Sequence, residues 1–253
     1  MDKMIHKNEF KLRALLTNDC NLNCEYCLND FQYKPGPGQE EFLGFEDFRD
    51  VLRDYSDVCF TKGYKKQVYF SGGEPTINPQ FPRMLDYTKR YYPDVKTVVC
   101  TNGINNHILR ANNFQIDEIH LGVNKQNYHQ IPFIISGLYN VSIQCVYSAS
   151  YRSTTLLEID NLRELNVPLK VFPDFFDDAI FREIAYTALE GFDDVSLRFT
   201  GSQINRGPGC KDCTRDCITL KGVWLFPDGG ISPCPQYRMS YTVDECEEFH
   251  RSK

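Results

Sequence analysis

The sequence lacks the features of a secreted, membrane-spanning or nucleic-acid-binding protein. Its first ten residues are polar and contain no apolar segment of a signal peptide. No apolar run approaches the length of a membrane span. The formal net charge of −6 and the pI near 5.4 give no broad attraction for nucleic acid or for an anionic membrane. We therefore expect a cytoplasmic protein that binds neither.

Length and cysteine content set the next bounds. A chain of 253 residues predicts one domain of barrel size, or one such domain with a small appendage. Hydrophobic residues make up 42% of it, enough for a large core. Eleven cysteines in a chain without a secretion signal indicate metal or redox chemistry rather than disulfides.

Three of these cysteines lie close together near the start of the chain. Cys20, Cys24 and Cys27 form a C-x3-C-x2-C run after an apolar, strand-like segment. A structural zinc site needs four nitrogen or sulfur ligands, so three thiolates would form an incomplete site that another Cys or His completes. A 4Fe-4S cluster on three thiolates instead keeps one iron open for another ligand.

Two further motifs follow predicted strands. Ser71-Gly-Gly-Glu-Pro-Thr76 comes directly after a strand-like segment, and Cys100-Thr-Asn-Gly103 closes the next one. Adjacent glycines let the backbone approach another group closely, and the Glu74 carboxylate can accept hydrogen bonds from an ammonium group. In this order and placement, with the cysteine run, the motifs resemble those of the radical S-adenosylmethionine (SAM) superfamily.

The resemblance implies a cofactor site. In it, Cys20, Cys24 and Cys27 hold a 4Fe-4S cluster whose open iron binds the amino and carboxylate groups of SAM. Gly72, Gly73 and Glu74 are expected at the methionine end of SAM. The other expected cofactor-binding residues are Tyr26 beside the adenine, Asn124 at the ribose, and Ser71, Asn102 and Gln144.

Strand and helix patterns alternate along the chain, which predicts an α/β fold with a parallel sheet. The predicted strands are Phe10–Leu16, Gln67–Phe70, Val95–Cys100, Glu118–Val123, Val141–Tyr147, Pro168–Phe172 and Val195–Thr200. The predicted helices between them are Phe45–Thr61, Pro79–Tyr91, Asn106–Asn112, Gln126–Tyr139, Thr154–Leu165 and Ala179–Gly191. The repeats fall short of the eight of a TIM barrel, and the resemblance implies a partial (β/α)6 barrel over residues 1–200, with a small cysteine-rich C-terminal extension over 201–253.

The later strands alternate apolar with polar residues. Strands buried on both faces of a parallel sheet read instead as continuous apolar runs. We expect the polar face to line a barrel lumen that holds a polar ligand, although a solvated sheet edge would give the same pattern. The residues expected to face the lumen are His120, Gln144, Lys170, Asp174 and Arg198.

A second cysteine group lies near the C-terminus. Cys210, Cys213, Cys217 and Cys234 surround a predicted hairpin of Val223–Phe226 and Ile231–Cys234, and the segment resembles the SPASM or Twitch extension of radical SAM enzymes. The resemblance implies an auxiliary 4Fe-4S cluster, with zinc as the alternative. Only 19 residues follow Cys234 and they contain one cysteine, Cys246, a substitute ligand for this site. We expect Cys59, Cys100 and Cys145 to be buried apolar residues.

The functional prediction is a radical SAM enzyme, which the resemblance implies uses a flavodoxin- or ferredoxin-type electron donor. Such an enzyme cleaves SAM reductively to a 5′-deoxyadenosyl radical, which removes hydrogen from a small molecule (a sugar, a cyclitol or similar) or from a peptide. A peptide-modifying maturase would need a separate leader-binding partner, because the first core strand begins near Phe10. A non-catalytic Fe-S or zinc module is the alternative of another class. The substrate, the reaction outcome and the oligomeric state stay open at this stage.

Overall fold

The computed structural model describes residues 8–27, 40–148, 154–174, 222–234 and 240–251, with positions 180, 184, 187–189 and 195–197 between them. Within this part of the chain one nine-stranded sheet has the order β7-β6-β5-β4-β3-β2-β1-β8-β9. Its strands are β1 (Glu9–Leu15), β2 (Lys65–Ser71), β3 (Lys96–Thr101), β4 (Glu118–Val123), β5 (Val141–Tyr147), β6 (Leu169–Pro173), β7 (Val195–Leu197), β8 (Gly222–Leu225) and β9 (Ile231–Ser232).

All neighbouring strands from β7 to β8 pair in parallel, and β9 alone pairs antiparallel. Strands β1 to β7 lie in chain order across the sheet, as successive crossover connections predict. The α/β fold with a mostly parallel sheet is therefore confirmed. Because parallel strands end at the same edge, the loops after β1, β2, β3 and β4 are neighbours in space.

The described helices are α1 (Phe45–Lys62), α2 (Phe81–Tyr91), α3 (Asn106–Asn112), α4 (Ile131–Ile135), α5 (Leu156–Arg163) and α6 (Val243–Arg251). Helix α1 shows how the sequence fixes such an element. Glu46 and Asp47 in its first turn complement the helix dipole, and Gly63, at a φ of 69°, ends it in the left-handed conformation. Its apolar stripe is buried, and the Phe48 ring packs on Phe70 of β2 with ring centres 5.5 Å apart.

The strands bury one face and keep the other polar. In β4, Ile119, Leu121 and Val123 are buried in the core beneath the helices, whereas His120 lies on the opposite face. The register carries this polar face across the sheet, which confirms the alternation predicted for the later strands. Its residues in the middle of the sheet include Arg13, Tyr69, Cys100, His120, Gln144, Lys170 and Trp224.

The predicted helix Gln126–Tyr139 is wrong. The segment forms a 3-10 turn, Tyr128–Gln130, and the short helix α4. Pro132 is tolerated in the first turn of α4, and Gly137, at a φ of 82°, follows the helix end. The predicted helix Ala179–Gly191 and the end of the strand Val195–Thr200 lie largely outside the described residues, as does Arg198.

The predicted hairpin near the C-terminus is confirmed. Strands β8 and β9 pair antiparallel, joined by a turn in which Gly229 adopts a φ of 80°. Unexpectedly, β8 also pairs in parallel with β1, so the hairpin extends the main sheet. Cys210, Cys213 and Cys217 lie outside the described residues.

Helix α6 packs on this edge of the sheet. Cys246 on α6 is fully buried in the hydrophobic core, and burial raises its thiol pKa to about 12. A thiol buried in the core is a poor metal ligand, so we do not expect Cys246 to substitute at the auxiliary site. Within the described ranges, no helix is long and apolar enough to cross a membrane.

Candidate active site

The cysteine loop leaves the carboxyl end of β1 and runs beside the glycine motif that follows β2. Leu16 N–H donates to Ser71 O at 2.8 Å, and Gly73 N–H donates to Thr17 O at 2.7 Å. Glu74 N–H then donates to Asp19 O at 2.8 Å. The two segments thus continue the pairing of β1 with β2 up to the first cysteine.

This pairing explains why glycine occupies both positions. A Cβ atom on Gly73 would lie 1.9 Å from Asp19 O, and one on Gly72 would lie 2.5 Å from Thr17 O. Gly72 also adopts a φ of 133°, which L side chains rarely take up. The two glycines were predicted to let the backbone approach another group closely. In the structure that group is the backbone of the cysteine loop.

The Glu74 carboxylate ties the glycine motif to the end of β3. Oε1 accepts from Thr76 Oγ1 at 2.6 Å, from Thr76 N at 3.1 Å and from Thr101 Oγ1 at 2.7 Å, and Oε2 accepts from Asn102 N at 2.8 Å. The residue is 1% exposed. Burial raises the pKa of this carboxyl, and the four donors oppose that effect by stabilising the charged form.

Two asparagines reach the cysteine sulfurs. Asn124, which follows β4, donates from Nδ2 to Cys24 Sγ at 3.0 Å, and Asn102, which follows β3, donates from Nδ2 to Cys20 Sγ at 3.7 Å. Leu22 N–H also donates to Cys20 Sγ at 3.5 Å. Burial raises the pKa of the Cys20 thiol, and the Leu22 bond opposes the rise. Donors to sulfur are one means by which a protein tunes the potential of an Fe-S cluster.

Sequence reasoning missed two residues that hold this arrangement together. Gln126 pairs with the backbone of Asn23 inside the cysteine loop, accepting from Asn23 N at 3.1 Å and donating to Asn23 O at 2.9 Å. Asn127, fully buried, donates from Nδ2 to Asn102 O at 2.9 Å and to Gly122 O at 2.8 Å. The sequence feature that could have identified them is the polar N-x-Q-N run directly after a strand. It was overlooked because Gln126 and Asn127 were included in the predicted helix.

The remaining predicted cofactor residues divide into two groups. Tyr26 is half-buried over the end of β4, where its hydroxyl donates to Val123 O at 3.3 Å, and burial raises its pKa. Gln144 lies on the polar face of the sheet, opposite Gly122 and Lys170 in register. Among the predicted set, therefore, all except Gln144 lie at or beside the loops at the carboxyl edge.

The other predicted lumen residues and cysteines also have described places. Asp174 follows β6 and is fully buried, and Cys59 and Cys145 are buried as predicted. The prediction for Cys100 is wrong in its surroundings, because the register places this residue on the polar face. Its Sγ lies 3.9 Å from His120 Nδ1.

The donor chemistry fits a 4Fe-4S cluster better than a single ion. Cys20, Cys24 and Cys27 are partly exposed thiols on one loop and form no disulfide, and two of the sulfurs accept hydrogen bonds from amides. Across the described ranges, no three histidine, cysteine, aspartate or glutamate side chains are gathered as the site of one metal ion. A thiolate-rich loop is the usual ligand set for Fe-S clusters.

The family assignment agrees with this loop geometry. The model of the Radical SAM superfamily matches residues 15–130, the part that contains the cysteine run, the glycine motif and the ends of β3 and β4. This segment is thus similar to a radical SAM domain. The family implies a 4Fe-4S cluster and SAM, and it indicates that the chain is an enzyme.

Curated relatives match the same region. A GTP 3′,8-cyclase from Actinobacillus pleuropneumoniae serotype 5b (strain L20) is 33% identical over 106 residues, which are 42% of this chain and 26% of the relative. A second, from Vibrio atlanticus (strain LGP32), is 32% identical over 100 residues, 39% of this chain and 28% of the relative. The matched segment thus spans about a quarter of the length of these radical SAM relatives.

Solved structures share the fold over a longer stretch. Streptococcus suis SuiB bound to the precursor peptide SuiA superposes with a TM-score of 0.61 at 14% identity, covering 95% of this chain and 64% of SuiB. The SAM-bound form of SuiB gives a TM-score of 0.59 at 14% identity, with 94% and 64% coverage. At this identity the likeness shows the fold alone.

Proposed function

We propose that this protein cleaves SAM reductively at the cysteine loop and uses the resulting radical to remove hydrogen from a substrate. The observation that carries the proposal is the convergence of four loops at one sheet edge. Cys20, Cys24 and Cys27 follow β1, the glycine motif follows β2, and Asn102 and Asn124 follow β3 and β4, with both amides on cysteine sulfurs.

In this proposal the three cysteines hold a 4Fe-4S cluster. When bound, the cluster and SAM supply one-electron cleavage of the sulfonium, which yields methionine and a 5′-deoxyadenosyl radical. Ser71, Gly72 and Gly73 place backbone groups at the methionine end. Glu74, whose oxygens are occupied by protein donors, fixes the position of that backbone and of Asn102.

Other residues complete the cofactor site in this proposal. Tyr26 covers the adenine side and Asn124 lies at the ribose side, where its Nδ2 also holds Cys24. Gln144 contributes from the polar face of the sheet. The electron arrives from a flavodoxin- or ferredoxin-type donor at the exposed side of the cysteine loop.

The polar face supports a partial (β/α)6 barrel with a lumen. Arg13 on β1, Cys100 on β3 and Lys170 on β6 all lie on this face. In the proposal the sheet curves around it and encloses space for substrate.

An auxiliary cluster is the second part of the proposal. Cys234 comes two residues after Ser232, which pairs with Trp224, and β9 runs antiparallel to β8. Cys234 therefore lies toward the amino end of the sheet, away from the cysteine loop. With Cys210, Cys213 and Cys217 it holds a 4Fe-4S cluster in a small extension over residues 201–253, which takes an electron from the substrate radical or positions the substrate.

The substrate is a small molecule or a peptide. The structure of SuiB with its precursor peptide supports a peptide substrate. The GTP 3′,8-cyclases support a small molecule. A non-catalytic Fe-S or zinc module is the proposal's alternative, and the buried hydrogen-bond network around Glu74 speaks against it, since a passive module does not need it.

Formation of 5′-deoxyadenosine tests the proposed activity. Anaerobically reconstituted, reduced protein is incubated with SAM and the product is measured by mass spectrometry. We expect 5′-deoxyadenosine from the wild type, none from Cys24→Ala, and wild-type amounts from Cys59→Ala, a buried cysteine on α1. Absence of product from the wild type, with its iron in place, would refute the proposal.

A further inference from the structure

The polar face of the sheet carries more positive than negative charge, although the whole chain has a net charge of −6. The register places Glu9 opposite Lys65 and continues the same face across the sheet. Within the described strands this face carries five cationic residues against two acidic ones, namely Lys11, Arg13, Lys65, Lys96 and Lys170 against Glu9 and Glu118. An interior face with this balance attracts an anion.

Arg13 is held in place by aromatic rings. Its guanidinium carbon lies 5.0 Å from the centre of the Trp224 ring and 5.8 Å from that of Tyr69. Gly222 leaves room beside it, because a Cβ atom there would lie 3.0 Å from Arg13 Nη1. A guanidinium held between rings is preorganised for binding an oxyanion, which accepts hydrogen bonds from its fixed fork of donors.

Trp224 supplies a second donor at the same place. Its Nε1 is buried, and no described group accepts its hydrogen bond. A buried donor without a partner costs free energy that a bound acceptor would recover. The cation and the orphaned N–H are on neighbouring residues, since Arg13 and Trp224 are paired in register.

A cavity lies at the amino end of the sheet, beside the beginnings of β3 to β6. It has a volume of about 510 Å³, within the range of small-molecule sites. Its walls include Lys96, Glu118, Ser142 and Lys170 at the beginnings of β3 to β6. Ser142 Oγ is another buried polar atom without a partner among the described residues.

We propose that the substrate carries a carboxylate or phosphate group that binds Arg13 and the Trp224 indole N–H. Lys170, on the same polar face, adds to the positive charge, and the rest of the molecule extends toward the cysteine loop. Arg13 lies two residues before the end of β1, about 7 Å below the cysteine loop along the strand. The anion thus anchors the substrate beneath the point at which the radical forms. That this ligand is the substrate rests on the proposed function, whereas the anion-binding site itself does not.

Trp224 is the single tryptophan of the chain, so its fluorescence reports on this site alone. Full-length, cluster-loaded protein without SAM is titrated with inorganic pyrophosphate, with succinate and with neutral glucose at constant ionic strength. We expect a saturable fluorescence change with at least one of the two anions and none with glucose. Pyrophosphate alone indicates a phosphate-bearing substrate, and succinate alone a carboxylate.

Charge-matched variants locate the binding site. Arg13→Gln should raise the half-saturating anion concentration tenfold or more, and Lys170→Gln should raise it severalfold. Arg53→Gln is the control, because Arg53 lies exposed on α1 in ion pairs with Asp50 and Asp54. Arg13→Lys should restore part of the affinity. If Arg13→Gln does not fold, the Lys170→Gln variant and the wild-type titration still test whether the anion binds at this site.

Two results would overturn the inference. One is a flat titration of the wild type with both anions, and the other is a loss of affinity in Arg53→Gln as large as that in Arg13→Gln. Because the titration contains no SAM, either failure leaves the proposed SAM cleavage untouched. Conversely, an anion response in protein that fails to form 5′-deoxyadenosine would refute the radical reaction and keep the anion site.

Discussion

The Gln126 side chain makes two hydrogen bonds to the backbone of Asn23. It accepts from the Asn23 N–H at 3.1 Å and donates to the Asn23 carbonyl at 2.9 Å. Asn23 lies between Cys20 and Cys24, and Gln126 follows β4, so this pairing joins the middle of the cysteine loop to another strand end. The loop is exposed at Asn23, and a two-point contact restricts it without burying it.

Gln126→Ala should therefore loosen the cysteine loop and its cluster. We expect less iron after anaerobic reconstitution and a severalfold faster loss of iron to a chelator, because two hydrogen bonds of about 1 kcal/mol each are removed. The control is Gln130→Ala, an exposed glutamine of the same segment. Equal chelation rates in both variants would show that the loop does not depend on Gln126.

Glu74→Gln tests whether Glu74 positions the site or binds SAM itself. Four donors surround the carboxylate, so an amide brings one N–H against another donor. We expect the free energy of unfolding in urea to fall by about 1–3 kcal/mol, together with weaker SAM binding. The exposed Glu41→Gln is the control.

The alternative for Glu74 gives a different pattern. If the carboxylate contacts the ammonium of SAM without supporting the fold, SAM affinity falls in Glu74→Gln while the free energy of unfolding stays at the wild-type value. If SAM affinity and the free energy of unfolding both stay unchanged in Glu74→Gln, Glu74 has no role in the site.

The elements that the sequence predicted best are those with a strict local pattern. Strands β4 and β5 begin and end at the predicted residues, because alternating apolar residues mark both their face and their length. The positions of the cysteine loop, glycine motif and T-N-G turn at strand ends also followed from the chain order.

What the sequence missed depends on contacts between distant residues. Gln126 and Asn127 bind backbone groups of residues 23, 102 and 122, and those bonds replace the helix that local periodicity predicted. Likewise, β8 pairs with β1 across more than half of the chain, a partner that no local pattern reveals. Cys100 looked like an apolar core residue, and only the register with β4 places it beside His120.

His120 should make the protein sensitive to acid. Burial, with help from the charge of Lys170, lowers the His120 pKa from 6.5 to about 4. In the unfolded chain His120 is therefore protonated as the pH falls through 6.5, whereas in the folded protein it stays neutral until about pH 4. Stability is intact above pH 6.5 and falls as the pH drops to 4, by up to about 3 kcal/mol from this group.

His120→Asn removes that contribution. The difference in urea unfolding free energy between the variant and the wild type should shift in favour of the variant as the pH falls from 7.5 to 4.5. A difference that stays constant over this range would show that folding does not lower the His120 pKa.

Metal analysis tests the auxiliary site. We expect about eight irons per chain in anaerobically reconstituted wild type, and about four in Cys234→Ala, since each 4Fe-4S cluster contributes four. Cys246→Ala should keep all of them, because Cys246 is buried in the core on α6. About four irons with one zinc in the wild type would contradict the auxiliary 4Fe-4S cluster, but it would remain consistent with a cluster on Cys20, Cys24 and Cys27.

The most direct test of the account is the electron paramagnetic resonance spectrum of the reduced protein before and after SAM is added. Only a cluster on three cysteines has an open iron, so SAM should change the signal of one cluster and leave that of the other as it was. The variant with Cys20, Cys24 and Cys27 replaced by alanine should keep the second signal and show no response to SAM. A SAM response in that variant, or none in the wild type, would contradict the assignment of the cysteine loop as the site of SAM cleavage.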